Sequence, residues 1–372
     1  MNPEYFFCPN PECIYSKQLS FREKWYRKHG YHPSKAFGNV QRYICLHCGK
    51  TFSDQTFLLN YYLKIKTDFR KLMNQFNSSN SSCFIARENK MSFESVRIRR
   101  DRLARNALFL QSKALEGIEI NEPLAADGFE SYTRSKYYPV NINILMGTRT
   151  DFLYYFTESH SRRKGKTTEA QKRRMEYEYE DKSFAGCTLT PQFRTLMSFL
   201  KFRCKNNKCI LNTDEHKTYA TVLKRLAGSE GFPEVEHIQT SSGKPRTGSN
   251  PNRSVNYMDM LYRKDIPNHR RKTTCFAKND RNMLSRMAVY MVSHNFYKPR
   301  RVTDKARQTK EKHYSELGID ERKLSFWKNL FREYRFFGSK VKLPEYFSKV
   351  WRRISETPFG DNWYPLPKFA LQ

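Results

Sequence analysis

The sequence predicts an α/β protein built around a mixed β-sheet, with two small modules ahead of it. Three observations indicate this class. Paired cysteines near the N-terminus have the spacing of a metal site, and an arginine-rich segment with helical periodicity follows them. From Leu124 onward, apolar runs of strand length alternate with segments of helix length. We expect domains at 1–57, 58–115, 116–300 and 301–372.

Charge is the strongest compositional signal. The 372 residues include 68 Lys and Arg against 37 Asp and Glu, which gives a formal net charge of +31. Such an excess repels itself unless a polyanion offsets it, and nucleic acid is the usual polyanion. No window reaches the ~18 apolar residues of a membrane span, and the N-terminus lacks a signal-peptide pattern. We expect a cytoplasmic, nucleoid-associated protein that binds double-stranded DNA and no membrane.

The first module, 1–57, carries two cysteine pairs. Cys8 and Cys13 bracket four residues, while Cys45 and Cys48 bracket two and are followed by Gly-Lys-Thr-Phe. Four thiolates close a tetrahedral Zn²⁺ site, and so small a segment needs such a staple to fold. A strand-like run at 39–44 leads into the second pair, as in a zinc ribbon. The alternative ligands in or between the pairs are His29, His32 and His47.

The second module, 58–115, has the pattern of a helix-turn-helix. Helical periodicity runs over 58–76, a short helix begins at 83–86, and Ser92 after a turn caps a long helix. An arginine-rich helix after a short turn suits the DNA major groove. The alternative is an amphipathic linker helix with solvated arginines. The predicted DNA contacts on this helix are Arg97, Arg99, Arg102 and Arg105.

The third domain, 116–300, carries the predicted chemistry. Strands are expected at 124–132, 139–146, 151–156, 209–213 and 235–238, with helices at 191–202 and from 214 to about Leu226. This order matches an RNase H-like fold, in which the first and fourth strands lie side by side. Asp127 and Asp214 would then meet at the strand ends, where unpaired carboxylates are suited to hold a divalent cation.

A family resemblance rests on five segments. They are Asp127-Gly-Phe-Glu-Ser131, Thr213-Asp-Glu-His-Lys-Thr-Tyr219, Val255-Asn-Tyr-Met-Asp259, and Arg271-Lys-Thr-Thr-Cys-Phe276 with the later His294-Asn-Phe-Tyr-Lys-Pro-Arg-Arg301. From the cysteine pairs to about Arg301 the chain resembles transposases of bacterial insertion sequences with a DDE or DDD catalytic core. The resemblance implies Mg²⁺ or Mn²⁺ bound by Asp127, Asp214 and a third acid. It also adds Arg263 and Arg271 as DNA-binding residues.

The third acid is where the chain departs from that family. Asn256 stands where a catalytic glutamate is often found. Asp259 lies three residues further and would share the same helix face, so we expect it to be the third metal ligand. Asp265 is the reserve candidate. Glu130 and Glu215 lie beside the two firm aspartates and are expected to support them.

The expected function is DNA transposition. Two divalent ions held by carboxylates suit an in-line displacement at phosphorus, so one site can cut a strand and join its 3′ end to a target. Pairing two element ends implies a homodimer or larger assembly on DNA. The alternatives are a catalytically inactive DNA-binding regulator derived from such an enzyme, and a nuclease without joining activity.

Three further segments complete the reading of the chain. Residues 164–180 are expected to form a solvated helical insertion of mixed charge. Cys204 and Cys209 are expected to be ordinary thiols, although His216 and His237 leave a second metal site open. Residues 301–372 are basic and aromatic and are expected to form a helical extension that contacts DNA or a second subunit.

Overall fold

The computed structural model describes residues 7–16, 24–61, 63–180, 187–300, 311–335 and 342–355. Parts of the predicted C-terminal extension, at 301–310, 336–341 and 356–372, therefore lie outside the described residues. Within the described ranges the chain forms a three-stranded sheet, a helical segment and a five-stranded mixed sheet with helices packed against it. This arrangement confirms the predicted mixed α/β class.

The small sheet contains strands β1 (Tyr26–Ser34), β2 (Gly38–Cys45) and β3 (Thr51–Ser53), paired antiparallel in that order. Its apolar interior is largely aromatic. Trp25 stacks between Tyr15 and Phe52, with ring centroids 5.7 Å and 5.5 Å away. The same cluster of buried side chains includes Phe109 of the following helical segment. The small sheet is therefore packed onto the rest of the protein.

Three helices follow: α1 (Phe69–Phe76), α2 (Ser82–Glu88) and α3 (Phe93–Ala114). The helix predicted at 58–76 is shorter than expected, because Asp68 caps α1 by accepting hydrogen bonds from the backbone N–H groups of Arg70 and Lys71. The start at Ser92 is confirmed, since its Oγ accepts from the backbone N–H of Ser95 at 3.1 Å. The α2–turn–α3 arrangement therefore has the predicted order.

Helix α3 lies inside the protein, and this corrects the expectation of a solvent-facing arginine surface. Arg99 and Arg102 are each 2% exposed and Arg105 is 4% exposed. Their guanidinium groups donate to backbone carbonyls of Ile65, Leu59 and Ile354. Arg97 forms ion pairs with Glu94 and with the fully buried Asp101. A contact from Arg99, Arg102 or Arg105 to DNA would require α3 to leave the core.

The large sheet contains β4 (Leu124–Tyr132), β5 (Pro139–Gly147), β6 (Leu153–His160), β7 (Lys208–Thr213) and β8 (Glu234–Gln239). Its order is β6-β5-β4-β7-β8. The first three strands along the chain pair antiparallel, while β7 and β8 run parallel to β4. The expected neighbourhood of the first and fourth strands is confirmed. Nearly every residue of β5 and β6 is buried, so helices cover both faces of these strands.

The remaining helices are α4 (Glu169–Glu180), α5 (Leu189–Ser198), α6 (Lys217–Leu226), α7 (Arg253–Asp265), α8 (Asp280–Val292), α9 (Glu321–Glu333) and α10 (Glu345–Ser355). Helix α5 packs on β5, β6 and α6, whereas α7 packs on β4 and β5. Helix α4 has no buried residue, as expected for the hydrophilic segment. In the described part of the chain, no helix has the length and apolar character needed to cross a membrane.

The two C-terminal helices pack on α3 and connect the ends of the chain. The Asn106 side chain donates to the carbonyls of Phe331 and Tyr334 at 3.0 and 2.7 Å. The backbone N–H of Leu59 donates to the Glu333 carbonyl, and that of Arg335 donates to the Phe57 carbonyl, both at 2.9 Å. The segment after the small sheet is thus held by residues from the far end of the chain.

The buried arginines of α3 give a stability prediction. Arg99→Ala removes hydrogen bonds to Thr67 Oγ1 at 2.6 Å and to the Ile65 carbonyl at 3.1 Å. The free energy of unfolding is expected to fall by about 3 kcal/mol in denaturant titrations, because a buried side chain with charge-assisted hydrogen bonds is removed and a cavity is left. Arg87→Ala, at an exposed position of α2, is the control and is expected to change it by less than about 0.5 kcal/mol. Equal stability of the two variants would contradict the buried role.

Candidate functional site

Asp127 and Asp214 are brought together by the pairing of β4 with β7. Leu124 lies opposite Leu211 and Ala125 opposite Asn212 in parallel register. Continued by two residues, this register places Asp127 level with Asp214, on strands about 4.8 Å apart. The Asn212 side chain also donates to the Leu124 carbonyl at 2.9 Å, which fixes the same alignment. The two aspartates therefore lie side by side on neighbouring central strands, at the level where β7 ends.

Asp127 is held in a largely desolvated position. Its Oδ1 accepts from the backbone N–H of Gly128 at 2.7 Å and from the Tyr219 hydroxyl at 3.5 Å. Burial, and next the negative charge of Asp214, raise its pKa to about 6. Burial and the charge of Asp127 also raise the pKa of Tyr219, so the phenol stays protonated and can donate. Tyr219 thus orients one carboxylate oxygen and leaves the other available.

Asp214 begins the connection into α6. Its Oδ1 accepts from the backbone N–H of His216 at 2.9 Å, and the His216 ring in turn caps α6 by accepting from Thr218. This is the helix-start role that a lone aspartate in such a turn often has. The same turn brings Tyr219 of α6 close to both aspartates. After burial, the negative charges of Asp127 and Asp214 raise the pKa of its hydroxyl group. Asp214 can therefore stabilise the turn into α6 and also lie beside Asp127.

Asp259 approaches Asp127 from helix α7. The helix is positioned on β4 by Phe129, whose ring makes an edge contact with that of Tyr262 at 5.3 Å. Burial, and next the charge of Asp127, raise the pKa of Asp259 to about 7. Its Oδ1 is buried and has no hydrogen-bond partner among the described residues. Asn256 lies one helical turn earlier and is partly exposed.

We use the name acid cluster for Asp127, Asp214 and Asp259, in which the charge of Asp214 acts on Asp127 and the charge of Asp127 acts on Asp259. These like charges repel one another, and the positive charge of Arg246 offsets the repulsion at Asp127 and Asp259 only in part. A buried carboxylate oxygen without a donor is costly unless a cation binds it. The donor set consists of hard oxygens and contains no sulfur, which fits Mg²⁺ or Mn²⁺.

Other predicted acids lie differently. Asp265 accepts from the Tyr290 hydroxyl at 2.7 Å and forms an ion pair with Lys298, so a local cation already neutralises it. Glu130 is exposed and accepts from the Tyr132 hydroxyl at 2.6 Å. Glu215 is exposed beside Asp214. The reserve candidate Asp265 therefore has a structural role in this arrangement.

A basic cleft of about 670 Å³ is lined by neighbours of the acids and not by the acids themselves. Each element that carries an acid also lines the cleft: β4 through Glu130, the turn after β7 through His216, and α7 through Arg263. Arg263 lies four residues after Asp259, on the same side of the helix. The cations that line the cleft are Lys136, Arg162, Arg163, Lys164, Arg263 and Arg271. Two predicted DNA-binding arginines, Arg263 and Arg271, thus line the same cleft.

The second candidate site is the cysteine cluster formed by Cys8, Cys13, Cys45 and Cys48. All four Sγ atoms lie within 4.8 Å of one another. The Cys8–Cys48 and Cys13–Cys45 Sγ distances are 3.4 and 3.8 Å, close to the ~3.8 Å edge of a tetrahedron with 2.3 Å Zn–S bonds. The cluster could hold a structural metal such as Zn²⁺.

Local turns explain why the cysteines converge. The backbone N–H of Gly49 donates to the Cys45 carbonyl at 3.0 Å, and Gly49 adopts a φ of +71° that favours glycine. The N–H of Cys8 donates to the Tyr15 carbonyl at 2.9 Å. The alternative ligands His29, His32 and His47 do not belong to this group of potential ligand atoms. Sulfur alone therefore supplies the donors.

Several functional neighbours escaped the sequence analysis. Tyr219 follows Asp214 by five residues, which puts it in the first turn of α6 and is the only signal of its role. Arg246 lies in the polar connection between β8 and α7, which carries no periodic signal. Arg162 and Arg163 precede the segment expected to be solvated. Lys164, which belongs to that segment, lines the basic cleft with them.

Comparison with known proteins adds no homologue. A scan against models of protein families finds no match for this chain, and a search of the curated proteins finds none either. The roles of the acid cluster, the basic cleft and the cysteine cluster therefore rest on their chemistry and geometry.

The cysteine cluster predicts a zinc-dependent fold of the small sheet. Cys45→Ser removes one of four thiolates, so the purified protein is expected to lose about one equivalent of Zn²⁺ by mass spectrometry of the metal content. The near-ultraviolet signal of Trp25, which is buried in the same cluster of side chains, is expected to weaken. Cys83→Ser, at an exposed cysteine outside the cluster, should retain both properties. A zinc content of the Cys45→Ser protein equal to that of wild type would contradict zinc binding by the cysteine cluster.

The acid cluster predicts how stability depends on pH without divalent cations. The pKa values of Asp127 and Asp259, about 6 and 7, lie above the ordinary value of 3.8, so ionising either one destabilises the folded state. The penalty is absent below about pH 4 and complete above about pH 7. Asp127→Asn or Asp259→Asn is therefore expected to add about 2 kcal/mol of stability at pH 8 and little at pH 4.

Thermal unfolding in a chelator, at both pH values, measures this difference. Glu119→Gln replaces an exposed carboxylate outside the cluster and is the control. Addition of Mg²⁺ should stabilise the wild-type protein and leave the Asn variants nearly unchanged, because they lack a charged ligand. Asn variants that are less stable than wild type at pH 8 in chelator would show that the aspartates do not repel one another.

Proposed function

We propose that this protein is a DNA transposase that cuts DNA at the ends of its mobile element and joins them to a target. The observation that carries the proposal is the approach of Asp214 and of Asp259 to Asp127, each from a separate element, with Asp259 Oδ1 buried and without a hydrogen-bond partner among the described residues. Structural carboxylates are usually paired with cations, as Asp265 is with Lys298. A cluster that lacks such pairing is suited to bind a metal ion.

The order and the relative directions of the strands in the large sheet support this assignment. Three antiparallel strands followed by two parallel ones, in the order β6-β5-β4-β7-β8, agree with the RNase H-like domain that the sequence suggests. An acid within β4, one directly after β7 and one on α7 support the assignment that the resemblance suggests. The small sheet with its cysteine cluster corresponds to the proposed zinc ribbon.

The residues of the acid cluster have distinct tasks in the proposed reaction. Asp127, Asp214 and Asp259 would hold Mg²⁺ or Mn²⁺, which supplies an activated oxygen nucleophile and neutralises charge on the phosphate. Tyr219 donates to Asp127 Oδ1 and so fixes that carboxylate. Arg246 adds a positive charge beside Asp127 and Asp259, where a phosphate would enter. No nucleophilic side chain is needed, so one site serves both cutting and joining.

The basic cleft is the proposed path of the DNA backbone. The elements that carry the acids also line this cleft, so a strand bound there would run past the acid cluster. Arg263 and Arg271 belong to this path. The α2–α3 pair would approach DNA through its exposed turn, where Arg87 and Lys90 face solvent, since the middle of α3 is buried. We further propose a dimer or larger assembly on DNA, because two ends must be joined together.

A cleavage assay tests the proposal directly. The full-length protein is incubated with Mg²⁺ and a plasmid that carries its own coding segment with flanking DNA on both sides. Wild type is expected to nick at the element ends and to give joined products on gels and by sequencing. Asp127→Asn, Asp214→Asn and Asp259→Asn are expected to lower the rate by at least about 1,000-fold, since each removes a charged metal ligand.

The controls separate catalysis from binding. Glu119→Gln should cut like wild type, and all three Asn variants should still bind the DNA in gel-shift assays. Binding by wild type without any cutting would overturn the proposal in favour of a DNA-binding regulator. Cutting without joined product would indicate a nuclease. Full activity in Asp259→Asn, with the other two variants inactive, would remove Asp259 from the site.

A further inference from the structure

A second group of potential ligands lies on β6, which is an edge strand of the large sheet. Glu158 and His160 are two residues apart on β6, so their side chains project to the same side of the strand. Asp280 is the first residue of α8. One ligand atom from each of these three residues lies within 4.8 Å of the others. Strand β6 is two strands away from β4, so this group is separate from the acid cluster.

The distances suit a small divalent ion. His160 Nε2 and Asp280 Oδ2 are 3.4 Å apart, which is about the edge of a tetrahedron with ~2.1 Å bonds to nitrogen and oxygen. The side chains of His160 and Asp280 are 27% and 31% exposed, so an ion can enter from solvent. The backbone N–H of His160 donates to Thr188 Oγ1 at 2.8 Å and so fixes the end of the strand.

Glu158 supplies an independent sign of a missing ligand. Its side chain is 4% exposed, and Oε2 is buried without a hydrogen-bond partner among the described residues. Its Oε1 is paired with Arg353 of α10. Carboxylates that bind metals are commonly held in this way, with one oxygen bonded to the protein and the other directed at the ion.

An ion-pair network without a metal would account for only part of the contacts made by Glu158, His160 and Asp280. It accounts for the Arg353 contact of Glu158 and for the His160–Asp280 contact, which attracts if the imidazole is protonated. It leaves Oε2 of Glu158 buried and unsatisfied, which is unfavourable. A cation bound by the Glu158 carboxylate, His160 Nε2 and Asp280 Oδ2 would offset both carboxylate charges and supply the positive partner that Glu158 lacks at Oε2.

We propose that Glu158, His160 and Asp280 form a site for a divalent transition metal such as Zn²⁺, which ties the end of β6 to the start of α8. Imidazole with two carboxylates is a donor set that zinc accepts, whereas the acid cluster contains no nitrogen donor. Since Glu158 is also bound by Arg353, the ion would stabilise the contact between the sheet and helix α10. The site does not depend on the proposed transposase activity.

Zinc stoichiometry tests the site. Purified full-length protein is equilibrated with Zn²⁺, freed of excess metal, and measured by mass spectrometry of metal and protein. His160→Gln and Asp280→Asn are each expected to hold about one equivalent less than wild type, because a three-ligand site loses one donor. Added Zn²⁺ should raise the Tm of wild type above that of the metal-depleted protein by more than it does for either variant.

The control is His29→Gln, which replaces an exposed histidine of the small sheet and should keep the wild-type zinc content. Circular dichroism establishes that each variant is folded, and Glu158→Gln offers a third variant should one of them fail. Equal zinc content in wild type and in the folded His160→Gln protein would overturn the proposal. In that case a lower Tm of the variant at every zinc concentration would assign the group to an ion-pair network.

Discussion

The parallel pairing of β4 with β7 is the constraint on which the candidate site depends. It alone places Asp127 level with Asp214, although 86 residues separate them in the sequence. A shift of the pairing by one residue would turn the side chains of β7 to the opposite faces of the sheet. The Asn212 side chain, which bonds to the Leu124 carbonyl across the two strands, opposes such a shift. Helix α7 packs on β4, so the position of Asp259 relative to Asp127 depends on this strand being fixed.

Burial and like charge act together in the acid cluster. Both raise the pKa values of Asp127 and Asp259, so the metal-free protein holds these carboxylates in an unfavourable state near neutral pH. The surrounding fold must compensate, and it does so through large buried contacts such as Phe129 against Tyr262. A site that is strained in this way gains stability when a cation arrives, which couples folding to metal binding.

Local patterns in the sequence predicted the parts of the structure that depend on local physics. Apolar runs gave the strands of the large sheet, cysteine spacing gave the cysteine cluster, and strand order brought Asp127 beside Asp214. The burial of Arg99 and Arg102 could not be read in this way, because their partners are carbonyls of Ile65 and Leu59 in a distant, irregular segment. An arginine-rich helix looks the same whether it faces solvent or a layer of backbone acceptors.

The position of Arg246 could not be predicted from the sequence, for a similar reason. It lies on a connection without periodicity, and its nearness to Asp127 and Asp259 follows from where β8 ends and α7 begins. The order of the α2–α3 helices was predictable from the caps at Ser81 and Ser92, but their exposure was not. Long-range packing, which has no signature in a short window, decided both.

The link between Phe57–Leu59 and residues 333–335 also constrains the order in which the protein is made. A ribosome releases the small sheet first, yet the backbone donor and acceptor groups of Phe57 and Leu59 find their partners only after Glu333 and Arg335 have emerged. The same holds for Arg105 of α3, which awaits the Ile354 carbonyl. A nascent chain must therefore keep helix α3 incompletely packed until residues 333–354 have been synthesised, and a product truncated before them would expose those polar groups to chaperones and proteases.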